Sequence, residues 1–191
     1  MDKKSIILAS KSPRRREILR NAGYIFTVEE AATDETVPEG ATPPEAVKRI
    51  ALDKALYVKQ KIAITDALIL AADTMVYLGG VLLGKPRDTA DAFLMLKKLS
   101  GAWHEVYTGY AILCGERRHI GYEVTEVKFR NLSEREIIDY IKSGEPFDKA
   151  GSYGVQGRAS AFVECIKGDF FNVMGLPICK ISQILDSESY T

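Results

Sequence analysis

The chain has 191 residues, 46% of them hydrophobic, and is therefore long enough to bury a core of its own. Lys plus Arg and Asp plus Glu number 26 each, so the formal net charge is zero. This balance argues against a nucleic acid polymer as partner, because no overall field attracts a polyanion. The apolar runs are much shorter than the roughly 20 residues that cross a bilayer, so no membrane association is predicted.

The N-terminal region is predicted to form a strand, a polar loop and a helix. Ser5–Ala9 is apolar enough for a buried strand, and Arg14–Ala22 has a helical spacing that ends at Gly23. A second helix is predicted from Thr42, as the N-cap, to about Lys61, since two prolines occupy its first turn.

The middle of the chain alternates predicted strands with one helix. Leu68–Ala72 reads as a compact apolar strand that delivers Asp73 at its end, and a hairpin around two glycines is expected to follow. A helix capped by Asp88 or Thr89 is expected to stop at Gly101.

The C-terminal half begins with a sheet-like pattern and ends with a helical one. It predicts strands over Trp103–Cys114 and Ile120–Phe129, followed by a helix that the capping box Ser133–Glu136 opens. A long loop is predicted over Glu145–Ser160, and a hairpin of Ala161–Ile166 with Phe170–Met174. The last predicted element is a helix over Pro177–Leu185. The element order predicts an α/β fold with a mixed twisted sheet and flanking helices. We expect a single domain over residues 1–191, with two lobes around a central cleft.

The three cysteines are widely spaced and form no CxxC pattern, which predicts neither a disulfide framework nor a zinc site. The N-terminal segment has neither the apolar length nor the cleavage site of a signal peptide. A cytoplasmic location is therefore expected.

The segment SKSPRRREIL places hydroxyls and arginines where a strand gives way to a helix. Unpaired backbone N–H groups and the positive end of the helix dipole meet there, and arginine binds phosphate oxygens in a bidentate manner. Arg14 and Arg15 are adjacent and cannot both lie on one helix face, so one is expected to point to a ligand and the other sideways. The alternative interpretation is an ordinary solvated basic turn.

Asp73 is the second candidate, because ligands of α/β proteins collect at the polar ends of strands. A carboxylate there could hold Mg²⁺ or act as a base, although a turn-forming role is the alternative. Glu35 is a candidate second carboxylate, with Asp34 and Glu39 as neighbours that could serve instead. The chain has two histidines, which favours a carboxylate with a metal as the means of activating water.

Lys54 and Lys85 are candidate partners for a triphosphate, although most lysines in such positions are solvated. Neither a P-loop nor a GxGxxG motif is present, so a nucleotide would be bound in another way. The glycine-rich loop around Gln156 would let the backbone approach a ligand closely, and its alternative is a flexible surface loop.

Six segments, in order and over nearly the whole chain, resemble the Maf family of septum formation proteins: LASKSPRRREIL, AVKRIALDKA, AADTMVYLGGVLLGKPRD, LSGAWHEVYTG, EPFDKAGSYGVQG and FFNVMGLPI. The resemblance implies hydrolysis of a nucleoside triphosphate between the α and β phosphates with a divalent cation, Mg²⁺ or Mn²⁺. It implies a fold like that of Maf and inosine triphosphatase proteins, and a homodimer. It assigns proton acceptance to Asp73, the metal to Asp73 and Glu35, and the phosphates to Ser10, Arg14, Arg15, Lys54 and Lys85.

Within the family, the loop that contains Gln156 resembles the branch that acts on dTTP and UTP, whereas the 7-methyl-GTP branch has Glu at that position. An amide can pair with both the N3–H donor and the O4 acceptor of uracil or thymine, while a carboxylate suits the adjacent donors of guanine. By the same resemblance Arg14 and Thr74 share in specificity. The alternatives are a 7-methyl-GTP or broad-range pyrophosphatase and a non-enzymatic nucleotide-binding regulator of septum formation.

Overall fold

The structure is a computed structural model that describes residues 5–37, 39–62 and 66–187. The strands are Ile6–Ala9 (β1), Phe26–Val28 (β2), Leu68–Leu78 (β3), Val81–Leu83 (β4), Trp103–Cys114 (β5), Arg117–Phe129 (β6) and Val163–Lys167 (β7). The α-helices are Pro13–Asn21 (α1), Pro43–Ile62 (α2), Thr89–Leu99 (α3), Glu134–Ile141 (α4), Phe170–Met174 (α5) and Ile178–Ser187 (α6). Short 3-10 helices span Glu145–Asp148, Ala150–Ser152 and Arg158–Phe162.

The strands form a mixed sheet in the order β2-β1-β3-β5-β6-β7, and β4 pairs with β3. Strand β1 is parallel to both β2 and β3, whereas the β3–β4 and β6–β7 pairs are antiparallel. The predicted α/β class with a mixed sheet and flanking helices is therefore confirmed. Among the described helices, none combines the length and the apolar character that crossing a bilayer requires.

The chain divides into two compact units, each built from separate stretches of sequence. The first comprises the described residues of Met1–Asp73, Thr108–Glu123 and Gly175–Thr191. The second comprises Thr74–Tyr107 and Val124–Met174. Neither unit is continuous in sequence, so each depends on contacts between distant segments.

Helix α2 packs closely on the sheet of the first unit. Its residues Ala51 and Ala55 are fully buried in a cluster that includes Ala71 of β3. Gly109 of β5 permits this approach, because a Cβ at that position would lie 2.3 Å from the backbone of Val47. The small residues thus bring the inner face of α2 within side-chain reach of β3.

The predicted helix starts are confirmed at two caps. The Asp88 side chain caps α3 by accepting a hydrogen bond from the Asp91 backbone N–H at 2.8 Å. Ser133 and Glu136 form the reciprocal capping box that opens α4. Both signals are local in sequence, which is why periodicity and residue type were enough to find them.

The hairpin predicted between Ala161–Ile166 and Phe170–Met174 is wrong. Strand β7 pairs with β6 instead, and Phe170–Met174 is a helix. The Asp169 carboxylate accepts a hydrogen bond from the Phe171 N–H at 2.7 Å and so satisfies a donor of the first turn. The predicted loop over Glu145–Ser160 contains two of the short 3-10 helices and the start of the third, which ends at Phe162.

Candidate active site

Asp73 lies in the middle of β3, and not at the end of a strand as predicted. The last paired residues of β1 and β3 are Ala9 and Ala71, so β3 continues past the end of its parallel neighbour. Asp73 therefore still lies at the carboxyl end of β1, where α/β proteins bind ligands. Its side chain is only 10% exposed, so this carboxylate is withdrawn from solvent and needs a partner.

That partner is Lys54, which α2 presents from its inner face. Lys54 Nζ donates to Asp73 Oδ1 at 2.6 Å and lies 2.7 Å from Glu35 Oε1. The Lys54 side chain is 8% exposed, so the expectation that such a lysine is solvated is wrong here. Its position three residues after Ala51 and one before Ala55, on the buried face, was the available signal.

Glu35 is the carboxylate of its loop that reaches this cluster, and its side chain is 49% exposed. Its neighbour Asp34 is engaged locally, because its Oδ1 accepts hydrogen bonds from the Thr36 backbone N–H at 2.9 Å and from the Thr36 hydroxyl. The geometry therefore distinguishes Glu35 from Asp34, two of the three carboxylates that the sequence left as alternatives.

Arg15 forms the other cationic part of the site. Its Nε donates to the Gly175 carbonyl oxygen at 2.7 Å, and Nη1 donates to Ser10 Oγ at 3.2 Å. Burial lowers the pKa of the Arg15 guanidinium from its ordinary value, and the Asp73 carboxylate opposes this shift. Arginine keeps its charge under such conditions, so a fixed positive charge lies beside Ser10 and Asp73.

The loop before α1 brings further polar groups to the same place. Ser10 is buried, and its Oγ also accepts a hydrogen bond from the Ser12 backbone N–H at 3.1 Å. Ser12 precedes the helix but its side chain makes no capping hydrogen bond. Arg14 is half-buried, whereas Arg15 is buried, as expected for adjacent residues that leave a helix in different directions.

The remaining predicted residues belong to the second unit. Lys85 follows β4 and is exposed, Thr74 is half-buried on β3, and Gln156 is exposed in the glycine-rich loop. The Gly84 carbonyl oxygen, next to Lys85, accepts a hydrogen bond from the Gly151 N–H at 3.0 Å. The segment that carries Lys85 and the loop that carries Gln156 are therefore tied together within this unit.

Two residues of these networks were not nominated from the sequence. Gly175 has a φ of 111°, which favours glycine, and its carbonyl holds Arg15. Glu145 opens the loop of Gln156 and accepts hydrogen bonds from the Tyr140 hydroxyl at 2.9 Å and the Arg158 N–H at 3.0 Å. Gly175 stands in the segment FFNVMGLPI and Glu145 in EPFDKAGSYGVQG, but neither segment alone shows what its residue contacts.

The two carboxylates of the first unit fit a divalent cation. Asp73 and Glu35 each place one oxygen within 2.7 Å of a single atom, Lys54 Nζ, so both can face one cation. Carboxylate oxygens are the ligands that Mg²⁺ and Mn²⁺ prefer. No group of three or more His, Cys, Asp or Glu side chains with metal-binding geometry occurs among the described residues, so phosphate and water oxygens would complete the coordination.

The chain matches a known protein family and curated proteins over almost its whole length. The family described as Maf-like protein matches residues 5–188. A dTTP/UTP pyrophosphatase of Aquifex aeolicus is 48% identical over 180 residues, which cover 94% of this chain and 93% of that protein. One of Clostridioides difficile is 45% identical over 183 residues, which cover 95% of this chain and 93% of that protein.

A solved structure, that of the Ham1 protein of Staphylococcus aureus, is 14% identical with a TM-score of 0.47, covering 97% of this chain and 100% of that chain. So distant a likeness adds nothing to the sequence match. The match to the family covers almost the whole chain, and relatives close to half identical cover it equally well. The chain therefore belongs to the family of Maf-like proteins.

Proposed function

We propose that this chain hydrolyses dTTP and UTP between the α and β phosphates, releasing the nucleoside monophosphate and pyrophosphate. The observation that carries the proposal is the buried Asp73 carboxylate beside two buried cations, Lys54 and Arg15. Such a cluster suits an anionic substrate whose cleavage needs a base. The names of the relatives supply the reaction class and the pyrimidine substrates.

Binding of the triphosphate is assigned to the cations and to Ser10. Arg15 is already oriented by Gly175 and Ser10, so little side-chain freedom is lost when phosphate binds. Lys54 adds a second buried positive charge, and Arg14 and Lys85 are proposed as further phosphate ligands. Fixed positive charge in a site withdrawn from solvent stabilises the charge that develops as the phosphoanhydride breaks.

Proton transfer is assigned to Asp73. Its carboxylate would accept a proton from the attacking water and so generate the nucleophile near the α phosphate. A divalent cation, Mg²⁺ or Mn²⁺, held by Asp73 and Glu35 would supply Lewis-acid charge to the phosphate oxygens. Mutation of Glu35 is therefore expected to act through the metal, whereas mutation of Asp73 removes the base as well.

Selectivity for pyrimidines is proposed to depend on Gln156, with Arg14 and Thr74 contributing. Gln156 is exposed, and two residues further along its loop the Arg158 N–H donates to the Glu145 carboxylate. An amide side chain in this position can donate to O4 and accept from N3–H of thymine or uracil.

A cytoplasmic location is proposed from the state of the thiols. All three cysteines, Cys114, Cys165 and Cys179, are free, as expected in a reducing compartment. The homodimer implied by the resemblance stays a prediction, which sedimentation velocity of the purified chain would test.

The reaction is tested by identifying the product. With dTTP or UTP and Mg²⁺ or Mn²⁺, we expect equimolar monophosphate and pyrophosphate and no orthophosphate, measured by ³¹P NMR before any pyrophosphatase is added. Release of orthophosphate together with the nucleoside diphosphate would instead show cleavage between the β and γ phosphates. Tight triphosphate binding without turnover at any metal concentration would instead favour a nucleotide-binding regulator.

The base preference is tested with Gln156→Glu in a panel of dTTP, UTP and 7-methyl-GTP. Since a carboxylate cannot donate to O4, the ratio of kcat/KM for dTTP to that for 7-methyl-GTP should fall by at least about tenfold, the loss of one good hydrogen bond. Ser160→Ala, at an exposed position a few residues along the chain, is the matched control. An unchanged ratio in Gln156→Glu would remove Gln156 from base recognition.

A further inference from the structure

One ammonium group occupies the position that joins the two carboxylates of the first unit. Lys54 Nζ lies 2.6 Å from Asp73 Oδ1 and 2.7 Å from Glu35 Oε1. These oxygens are also the protein ligands assigned above to a divalent cation. The Lys54 and Asp73 side chains are 8% and 10% exposed, so water screens their interaction weakly.

A divalent cation and the Lys54 ammonium compete for these oxygens. Two like charges within a few ångströms of each other in a poorly screened site repel strongly. Arg15 adds to the positive potential, since its charge interacts with both Asp73 and Glu35. Binding of a metal ion alone at Asp73 Oδ1 and Glu35 Oε1 therefore costs Lys54 both of these ion pairs.

Helix α2 keeps the backbone of Lys54 in place while its side chain can move. Ala51 and Ala55 are fully buried against the sheet, and Gly109 allows the helix to approach closely. A lysine side chain has a flexible four-carbon stem, so its ammonium can exchange one anion for another without a shift of the helix. A triphosphate offers such an anion.

We propose that Lys54 is an internal cation that excludes divalent metal ions from Asp73 and Glu35 until a nucleoside triphosphate binds. The nucleotide gives the displaced ammonium a new partner, and the metal then takes its place between the carboxylates. Metal and nucleotide consequently bind with positive cooperativity, each raising the affinity for the other by the same factor. This proposal rests on the proposed function in taking a triphosphate as the ligand and Asp73 and Glu35 as the residues that hold the metal.

The test is a titration of the purified protein with Mn²⁺, followed by electron paramagnetic resonance of the free ion. Wild type is expected to bind Mn²⁺ at least about tenfold more tightly when a dTTP analogue with a methylene group between the α and β phosphates is present, after correction for Mn²⁺ bound by the analogue alone. Equal affinities with and without the analogue would overturn the proposal, whatever any variant does.

Two substitutions at Lys54 separate charge from shape. Without nucleotide, Lys54→Gln should bind Mn²⁺ at least about tenfold more tightly than wild type, because the competing charge is gone. Lys54→Arg keeps the charge and should bind Mn²⁺ as weakly as wild type. Circular dichroism establishes that both variants are folded, and a Lys54→Gln protein that binds Mn²⁺ no better than wild type would contradict the proposal.

Lys59→Gln is the matched control on the same helix. Lys59 Nζ donates to the Gly115 carbonyl oxygen at 2.6 Å and is not bonded to Asp73 or Glu35, so Mn²⁺ affinity should be unchanged. The titration involves no hydrolysis. If Lys54→Gln gains affinity for Mn²⁺ but the wild-type protein cleaves no triphosphate, the proposed function fails and the role of Lys54 stands. If the wild-type protein cleaves the triphosphate but Lys54→Gln gains no affinity, the role of Lys54 fails and the proposed function stands.

Discussion

Asp73 is the residue whose chemistry is hardest to replace, because it is both buried and paired with a cation. Asp73→Asn preserves the shape of the side chain and an oxygen for Lys54 but cannot accept a proton. The substitution should lower kcat for dTTP by more than about a hundredfold, the usual effect of removing a general base. Pyrophosphate release measures this loss.

The control for that substitution is an aspartate with an ordinary surface ion pair. Asp139 on α4 lies 2.9 Å from Lys142 Nζ, and both side chains are exposed. Asp139→Asn should leave kcat within about twofold of wild type, since exposed pairs contribute little. Near-normal turnover in Asp73→Asn would exclude Asp73 as the proton acceptor.

His104 is a second buried residue whose charge state has a consequence. Its Nε2 lies 2.8 Å from the Tyr153 hydroxyl, and its ring packs edge-on against Phe129. Burial lowers the pKa of His104 to about 4. His104 Nδ1 is buried without a hydrogen-bond partner among the described residues. Protonation of the ring would put an N–H at Nδ1, and this donor would be left unsatisfied.

The lowered pKa of His104 makes the free energy of unfolding depend on pH. The unfolded chain binds this proton near pH 6.5 and the folded chain only near pH 4. The stabilisation that neutral His104 gives the folded chain is thus fully present above pH 6.5. It is lost as the pH falls from 6.5 to 4, and no further loss occurs below pH 4. It amounts to roughly 3 kcal/mol, and His104→Phe should remove this part of the slope.

Urea unfolding followed by Trp103 fluorescence is the appropriate measurement, because this residue is the chain's single tryptophan and precedes His104 in the second unit. The matched control is His119→Gln, which changes the only other histidine, a half-buried one. The control should retain the wild-type slope between pH 4 and 6.5. If His104→Phe retains it too, the pH dependence arises from other groups.

At the scale of elements, the Glu145 carboxylate is one of the groups that hold the loop carrying Gln156. Glu145 lies so close to Gly157 that a Cβ on this glycine would come within 2.1 Å of Glu145 Oε1. Gly157→Ala should therefore displace Glu145 from Tyr140 and Arg158 and lower kcat/KM for dTTP by at least about tenfold, because misplaced substrate contacts cost this much or more.

A double-mutant cycle shows whether the clash is the cause. Glu145→Ala removes the carboxylate that the new methyl group would strike, so Gly157→Ala should have little additional effect in that background. The measurement is kcat/KM for dTTP in the four proteins of the cycle. Strictly additive losses would mean that Gly157 acts through something other than Glu145.

At the scale of the whole molecule, each compact unit is assembled from stretches that are distant in sequence. The first unit is assembled from three stretches, and Arg15 contacts Gly175, 160 residues further along the chain. The net charge is zero, so attraction for a triphosphate depends on how local charges are arranged. The buried cations Arg15 and Lys54 supply that arrangement within the first unit.

The sequence by itself determined the elements whose signals are local, and the family. Caps such as Asp88 and Ser133 mark helix starts because they bond to backbone groups three residues away. The prediction of a strand over Phe170–Met174 was wrong because five residues are too few for periodicity to separate a strand from a helix. The segment is a helix, and the Asp169 carboxylate accepts a hydrogen bond from the Phe171 N–H in its first turn.

Only the tertiary structure decided which polar residues meet. The sequence nominated Lys54 and Asp73 separately, and packing of α2 on the sheet buries both and joins their charges. The tertiary structure also brings Glu35 to Lys54, whereas Asp34 bonds to Thr36. No local sequence pattern encodes the contact between Glu35 and Lys54. The physical reason is that periodicity determines which face of an element is buried, whereas partners across a core depend on the distances between elements.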